Sequence, residues 1–131
     1  MFAAAAAPTR STDLDSQITL ISSPESRSLL SLIGCSRWNA VELPDAEAAS
    51  AELARGASPI VICGIRNWRK VVEAARKSAR PPGVIVVAPK ANDLEWLQVL
   101  ESGAHYMPVD KLDAKHLFSL LNLLWRGWHK D

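Results

Sequence analysis

Short apolar runs alternate with longer amphipathic segments along most of the chain. The runs are five or six residues long and rich in β-branched residues, which is typical of β-strands. The segments between them place leucine, valine and alanine at helical spacing. The pattern therefore predicts five strands, each followed by a helix: strands over 17–22, 38–43, 59–63, 84–88 and 105–109, and helices over 24–33, 46–55, 67–79, 93–102 and 113–128.

Capping residues mark the beginnings of the helices. The triplet Ser-Pro-Glu at 23–25 has the order of an N-cap, a proline at the first helical position and an acid in the first turn. Asn92, with Glu95 three residues later, resembles a capping box. The predicted N-caps are Ser23, Asn67, Asn92 and Asp113.

The alternation of strands and helices is typical of an α/β protein with a parallel sheet, because right-handed crossovers place the helices on its two faces. The third and fourth runs are apolar throughout, which indicates central strands buried on both sides. Helices cover both faces of the sheet only if the second strand and the third strand lie on opposite sides of the first strand. The sequence therefore predicts a three-layer αβα sandwich, (βα)5, with a parallel five-stranded sheet of order 2-1-3-4-5.

A length of 131 residues suits one domain with one hydrophobic core. Residues 1–16, rich in alanine, serine and threonine, are interpreted as an N-terminal tail, and the domain is expected to span 17–131. No apolar run reaches the ~20 residues of a membrane span, and the first residues lack the pattern of a signal peptide. We therefore expect no membrane contact and a cytoplasmic location.

The charge balance argues against a dedicated nucleic-acid binder. The formal net charge is only +1, whereas such domains are usually strongly basic. The third helix does concentrate basic residues against the single acid Glu73, and this stripe is compatible with nucleic acid or an acidic partner. A solvated helix face is the simpler interpretation, so direct nucleic-acid binding is not expected.

The strand ends, beyond which ligands bind in such folds, carry little chemistry. No glycine-rich nucleotide or phosphate loop is present, and the carboxylates are too few for a metal. The two cysteines and three histidines lack metal-ligand spacing. We therefore expect no cofactor, no metal and no enzymatic activity. The residues available there are Ser22, Ser23, Cys63, Gly64, Ala88, Pro89, Asp110 and Lys111.

Four segments resemble a known family in their order and spacing. ITLISSPESRSLL follows the pattern V-D-D-x-P-x-x-R-x-L-L, SPIVICG follows P-D-L-V-L-L-D, and VIVVAP follows V-I-V-L-T-A. ESGAHYMPVDKLDAKHL is similar to the ending G-A-x-D-x-L-x-K-P-x. Over residues 17–128 the chain thus resembles the receiver domain of two-component response regulators, which has a flavodoxin-like, CheY-like fold. The resemblance implies a role in phosphorelay or other two-component signal transduction.

The family's phosphorylation residues are replaced at the positions that match its motifs. With Arg27 as the anchor, the acidic pair that binds Mg²⁺ in receivers falls on Ile21 and Ser22. The phosphate-accepting aspartate falls on Gly64. The resemblance therefore implies a pocket without its metal ligands and without its phosphoacceptor.

The last two positions of the pocket differ from the family as well. The hydroxyl residue that follows the phosphate falls on Ala88, and the lysine falls on Asp110. A one-residue gap would instead bring Lys111 or Tyr106 into the family positions. We interpret the chain as a degenerate receiver, or pseudo-receiver, that acts without aspartyl phosphorylation. Its degenerate pocket comprises Ile21, Ser22, Gly64, Ala88 and Asp110.

Apolar residues spread further around the last two helices than a core requires. They span about 160° of the final helix and roughly 220° of the helix before it, whereas about 100° is enough to face a core. The excess predicts a surface for a protein partner, and receivers typically use the face formed by helix 4, strand 5 and helix 5. We expect a protein complex or a homodimer through this face, with Trp96, Tyr106, Phe118, Trp125 and Trp128 at the contact.

Three other hypotheses stay open at this point. The altered pocket would respond to a small ligand or to oxidation of Cys63, although a thiol at the end of an apolar strand favours a buried structural role. The chain would be the N-terminal regulatory domain of a larger transcriptional regulator. Finally, a different alignment of the motifs would make it an ordinary phosphorylated receiver.

Overall fold

A computed structural model describes residues 17–34, 38–54, 59–78, 80–111 and 113–129. The predicted N-terminal tail and Cys35 lie outside these residues. No helix in this part of the chain has both the length and the apolarity needed to cross a membrane. The elements are β1 (Gln17–Ile21), α1 (Pro24–Arg27), α2 (Leu30–Gly34), β2 (Asn39–Leu43), α3 (Ala46–Ala54), β3 (Ile60–Gly64), α4 (Trp68–Arg76), β4 (Gly83–Ala88), α5 (Asp93–Glu101), β5 (His105–Pro108), a 3₁₀ turn (Val109–Lys111) and α6 (Ala114–His129).

The strands form one parallel sheet of order β2-β1-β3-β4-β5, which confirms the predicted topology. Thr19 of β1 pairs with Val41 of β2 on one side and with Val61 of β3 on the other. Cys63 of β3 pairs with Val86 of β4. This register brings the carboxyl ends of the strands to one edge of the sheet.

Two apolar layers cover the sheet, because every residue of β3 is buried and its side chains alternate between the two faces. Ile60 and Ile62 belong to one layer, whereas Val61 and Cys63 belong to the other. The first layer packs on α2 and α6 through Ile33, Leu117 and Leu121. The second packs on α3 and α4 through Ala49, Leu53, Val71 and Ala75.

The first predicted helix is divided into α1 and α2, so the expected helices 4 and 5 correspond to α5 and α6. At the break, the amides of Ser28 and Leu29 donate to the carbonyls of Glu25 and Ser26, three residues back, at 3.2 and 3.1 Å. The tighter bonding interrupts the α-helix at these two residues. Leu29 is fully buried there.

Three of the four predicted N-caps are confirmed. The side-chain oxygens of Ser23, Asn92 and Asp113 accept backbone amides at 3.0, 3.0 and 3.1 Å. Asn67 precedes α4 but makes no side-chain capping bond, so the expected cap is wrong there. Its Oδ1 is buried and finds no hydrogen-bond partner in the described part of the chain.

Ser26 ties α1 to the end of β1, and we expect its loss to destabilise the fold. Its buried hydroxyl donates to the carbonyl of Ile21 at 2.7 Å. Ser26→Ala leaves that carbonyl without this donor and is expected to lower the free energy of unfolding by about 1–2 kcal/mol in urea denaturation. Ser28→Ala is the control, because the Ser28 hydroxyl is exposed and its hydrogen bond to the Pro24 carbonyl is long, at 3.4 Å. Equal losses in the two variants would contradict this assignment.

The thiol of Cys63 is expected to be inert in the folded protein. It is fully buried, and burial raises its pKa to about 12. Because the thiolate is the reactive form, its modification by a disulfide reagent at pH 8 should be slower than in the urea-unfolded chain by on the order of 1,000-fold. The measurement uses a Cys35→Ser background, so that only Cys63 is followed. Similar rates in the two states would refute the prediction.

Candidate functional site

The carboxyl edge of the sheet is where a ligand would bind in this fold, and the structure places all five predicted pocket residues at or just beyond strand ends. Ile21, Gly64 and Ala88 are the last residues of β1, β3 and β4. Ser22 follows β1 and is half-buried, and Asp110 lies in the 3₁₀ turn after β5 and is exposed. The structure thus gathers the predicted positions at one edge of the sheet.

Gly64 has no room for a side chain. A Cβ atom built on it would lie 2.7 Å from Ser23 Oγ, 3.0 Å from Ser23 Cβ and 3.1 Å from Glu25 Oε1. The space into which a side chain at position 64 would project is therefore occupied by Ser23 and Glu25, from the loop and helix that follow β1. The glycine is required by this close approach and not by an unusual backbone angle, since its φ is not positive.

A hydrogen-bond network holds Ser23 over Gly64. The Ser23 hydroxyl donates to Ser26 Oγ at 2.8 Å and accepts the amide of Ser26 at 3.0 Å. Ser26 in turn donates to the carbonyl of Ile21 at 2.7 Å. Ser23 is thus fixed at the place where it excludes a larger residue from position 64.

Glu25 supplies a carboxylate in the first turn of α1. Its Oε1 is buried beside Gly64 and finds no hydrogen-bond partner among the described residues. Sequence reasoning treated Glu25 only as an acid in the first turn of a helix, because the close contact between α1 and the end of β3 was not visible in the pattern. The carboxylate lies beside Gly64, where the resemblance would place the acceptor aspartate.

The residues at this edge do not fit Mg²⁺, which takes oxygen ligands in near-octahedral geometry and usually one or two carboxylates. Ile21 is aliphatic and buried in the layer against α3 and α4. Ser22 offers a hydroxyl only, and the two carboxylates, Glu25 and Asp110, belong to different elements, α1 and the 3₁₀ turn after β5. Within the described ranges, no group of three or more His, Cys, Asp or Glu side chains is placed to hold a metal ion.

Ala88 is fully buried at the end of β4 and pairs with Pro108 of β5, so no hydroxyl faces the edge from this strand.

Tyr106, the alternative candidate in the fifth strand, forms hydrogen bonds with residues at the start of α5 and just before it. Its hydroxyl accepts the amide of Asn92 at 3.2 Å and has the Lys90 carbonyl at 3.0 Å and Glu95 Oε1 at 3.1 Å as acceptors. Burial, followed by the hydrogen bond to the Glu95 carboxylate, raises the pKa of Tyr106. Through these hydrogen bonds, Tyr106 connects β5 to the start of α5.

Cys63 does not line the edge. Its side chain points into the layer against α3 and α4, on the face opposite to Ile62. The thiol is fully buried, and its raised pKa disfavours the reactive thiolate. The structure therefore gives no support to the hypothesis of an oxidation switch at this residue.

The five predicted contact residues are not equally exposed. Trp96 on α5 is 48% exposed, whereas Tyr106, Phe118 and Trp125 are half-buried. Trp128 is only 8% exposed, which corrects the expectation that it is free for a partner. The guanidinium of Arg80 lies 4.0 Å from the Trp128 ring centroid and covers it.

Trp125 packs inward as well. Its ring meets Trp38 edge to face, with centroids 6.4 Å apart and an interplanar angle of 75°. Sequence reasoning missed this inward packing because Trp38 precedes β2, far from α6 in the chain. The predicted contact also omitted three exposed leucines of α5: Leu94, Leu97 and Leu100. The wide spread of apolar residues around α5 could have indicated them.

A mostly apolar hollow of about 250 Å³ lies at the start of the same helix. It lies between the start of α5 and β5, where Trp96, Tyr106 and Pro108 form its walls. The exposed leucines and this hollow make α5 a candidate contact surface. Gly64 itself is not among the residues that line this hollow.

No family model and no curated protein matches the chain. Solved structures do resemble it in fold. The signal receiver domain of a putative LuxO repressor from Vibrio parahaemolyticus superposes with a TM-score of 0.72 at 12% identity, covering 86% of this chain and 92% of that one. A CheY-like receiver domain from Methanospirillum hungatei gives 0.67 at 14% identity, covering 87% and 96%.

A third similar structure is the BeF3-activated N-terminal receiver domain of RstA from Klebsiella pneumoniae. It superposes with a TM-score of 0.66 at 19% identity and covers 84% of this chain and 98% of that one. Identities this low establish a shared fold and nothing finer. The chain therefore has the fold of response-regulator receiver domains.

Proposed function

We propose that the chain is a receiver-like signalling module that acts through contacts with protein and not through phosphorylation of an aspartate. The observation that carries the proposal is the occupied space at Gly64, where Ser23 Oγ would lie 2.7 Å from any Cβ. The shared fold supports a role in two-component-type signalling. The altered pocket argues against the aspartyl phosphorylation by which receiver domains are switched.

Phosphoryl transfer to a receiver needs a nucleophilic carboxylate, and position 64 offers none. Ser23 Oγ is already engaged with Ser26 and has no histidine or other strong base among its hydrogen-bond partners. Ile21 and Ala88 supply no ligand or hydroxyl to a phosphate. These features support a non-catalytic module.

Contact with protein is supported by the surface of α5. Single exposed leucines are normal on soluble proteins, but three exposed leucines and a half-exposed tryptophan on one helix of nine residues favour an interaction site. Without a phosphate trigger, the population of the signalling state would follow concentration and partner occupancy. The signal from the module would therefore depend on the fraction of the chain that is bound to its partner.

Incubation with acetyl phosphate and Mg²⁺ tests the absence of phosphorylation. We expect the intact mass to remain unchanged, because position 64 carries no carboxylate and the residues at this edge do not fit the Mg²⁺ ion that phosphoryl transfer would need. A receiver domain that retains its aspartate, treated in parallel, controls for the reagent. Uptake of one phosphoryl group by this chain would overturn the proposal.

Gly64→Ala tests the occupied space directly. A Cβ atom would press on Ser23 at 2.7 Å, so we expect the free energy of unfolding to fall by about 1–3 kcal/mol. The matched control is Gly127→Ala in α6, where nothing lies within 4 Å and alanine should be neutral or stabilising by up to about 1 kcal/mol. Urea denaturation measures both variants. An unchanged stability for Gly64→Ala would show that position 64 is open.

A further inference from the structure

Two hollows lie at the amino-terminal edge of the sheet, opposite to the edge that holds Gly64. The first has a volume of about 260 Å³ and lies beside the end of α4, and the second has a volume of about 300 Å³ and lies beside the end of α6. Three residues of the loops that lead into β4 and β5 line both of them: Pro81, Pro82 and Gly103. The two hollows are therefore neighbours.

Each hollow combines apolar walls with one guanidinium group. Arg76 lines the first hollow and Arg80 lines the second, whereas no Asp or Glu of the described ranges lines either. His105 also lines the second hollow, but burial lowers its pKa, so the ring is mainly neutral at pH 7. The apolar walls are formed by Val72, Ala75, Val84 and Ala104 in the first hollow and by Leu123, Leu124 and Trp128 in the second.

Arg80 is held in place and still has donors to offer. Its guanidinium lies 4.0 Å from the Trp128 ring centroid, and its Nη2 donates to the Trp128 carbonyl. The Ser78 hydroxyl accepts the Arg80 amide at 3.3 Å and donates to the Arg80 carbonyl at 3.2 Å, which fixes the backbone. A guanidinium has five N–H donors in its plane, so stacking on a ring and one hydrogen bond leave others available for a carboxylate.

Arg76 has the same kind of support at the first hollow, because its Nη2 donates to the Ser102 carbonyl at 3.0 Å. Both arginine side chains are exposed, and neither forms an ion pair with a described residue. Glu73, the acid on the same helix, pairs instead with Lys77 at 3.6 Å. Two positioned guanidinium groups are thus available to carboxylates from outside the described chain.

The arrangement favours an extended acidic peptide over other anions. A compact anion would meet one guanidinium only, whereas four extended residues span roughly 13 Å and can cross the shared loops from one hollow to the other. The apolar walls suit a ligand that also carries apolar side chains. Single-stranded nucleic acid stacks its bases on open aromatic rings, but Trp128 is only 8% exposed and lies beneath Arg80.

We propose that these two hollows form one binding site for an extended acidic peptide of a partner protein. Arg76 and Arg80 bind its carboxylates through charge-assisted hydrogen bonds, and its apolar side chains enter the hollows. This inference rests on the proposed function, because it gives the chemistry of a partner for a module that acts through contacts with protein. The site is distinct from the surface of α5, since none of the exposed leucines of α5 lines either hollow.

Titration of the full chain with the peptide acetyl-Gly-Glu-Leu-Glu-Leu-Glu-Gly-amide tests the site. We expect a Kd on the order of 100 μM by calorimetry, and at least about tenfold weaker binding when glutamine replaces each glutamate of the peptide. Amide resonances that shift on binding should cluster at Gly83, Gly103 and His105. Absence of binding at millimolar peptide, equal binding of the two peptides, or shifts that cluster elsewhere would overturn the proposal.

Arginine variants identify the two carboxylate-binding groups. Arg76→Gln and Arg80→Gln should each weaken binding of the acidic peptide at least about fivefold. Arg69→Gln is the matched control, because Arg69 also stacks on a tryptophan ring at 4.6 Å and donates a hydrogen bond at 3.2 Å, but it lines neither hollow. Arg76→Gln keeps the contact of Arg80 with Trp128 intact, so its result does not depend on that contact. Equal effects of Arg76→Gln and Arg69→Gln would refute the assignment.

Two further measurements distinguish other occupants of the site. Asp13 and Asp15 shortly precede Gln17, the first residue of β1, at the same edge of the sheet. The double substitution Asp13→Asn with Asp15→Asn should leave the affinity for the peptide unchanged. A tenfold gain would show that the chain's own acidic segment occupies the site, and would overturn the assignment to a partner. Displacement of the peptide by a tenfold lower concentration of oligothymidylate would reassign the site to nucleic acid.

A charge exchange completes the test and separates this inference from the proposed function. The double variant Arg76→Glu with Arg80→Glu should prefer a peptide in which lysine replaces each glutamate, the reverse of the wild-type preference. An unchanged preference would contradict the proposed contacts. Failure of peptide binding refutes this site alone, whereas phosphate uptake from acetyl phosphate refutes the proposed function, so the two failures are distinguishable.

Discussion

The burial of β3 on both faces is the constraint on which the rest of the structure depends. A strand without an exposed side must lie inside the sheet and beneath two helical layers. Its carboxyl end therefore emerges under the β1–α1 loop, where Ser23 and Glu25 close over it. The same pairing that stabilises the centre of the fold leaves no space for a side chain at Gly64.

This packing leaves little space at the carboxyl edge next to Gly64. In a receiver the edge holds a carboxylate that is phosphorylated with the help of a metal, whereas here a hydrogen-bonded serine occupies the space above a glycine. The nearby Cys63 offers no substitute chemistry, because the alternation of side chains along β3 turns it into the opposite layer. The edge is thus part of the packed structure, and the exposed apolar surface lies on α5.

The sequence was informative about α5 and misleading about α6. Helical spacing measures how widely apolar residues spread around a helix, but it does not tell which of them a neighbouring element covers. Trp128 lies beneath Arg80, and Trp125 meets Trp38, across separations of 48 and 87 residues in the chain. On α5 no described element covers the leucines, so they remain exposed.

The alternation of apolar runs, glycines and capping residues by itself determined the element order and the strand order, because hydrophobic periodicity and crossover handedness are properties of the local chain. The resemblance further predicted, without a test so far, that the positions of the family's phosphorylation residues fall on Ile21, Ser22, Gly64, Ala88 and Asp110. Only the tertiary structure decided that Ser23 occupies the space next to Gly64 and that the Asn67 side chain does not cap α4. It also decided that Trp128 is buried while Leu97 is exposed. These outcomes depend on contacts between residues distant in sequence or on side-chain orientation, which no local pattern records.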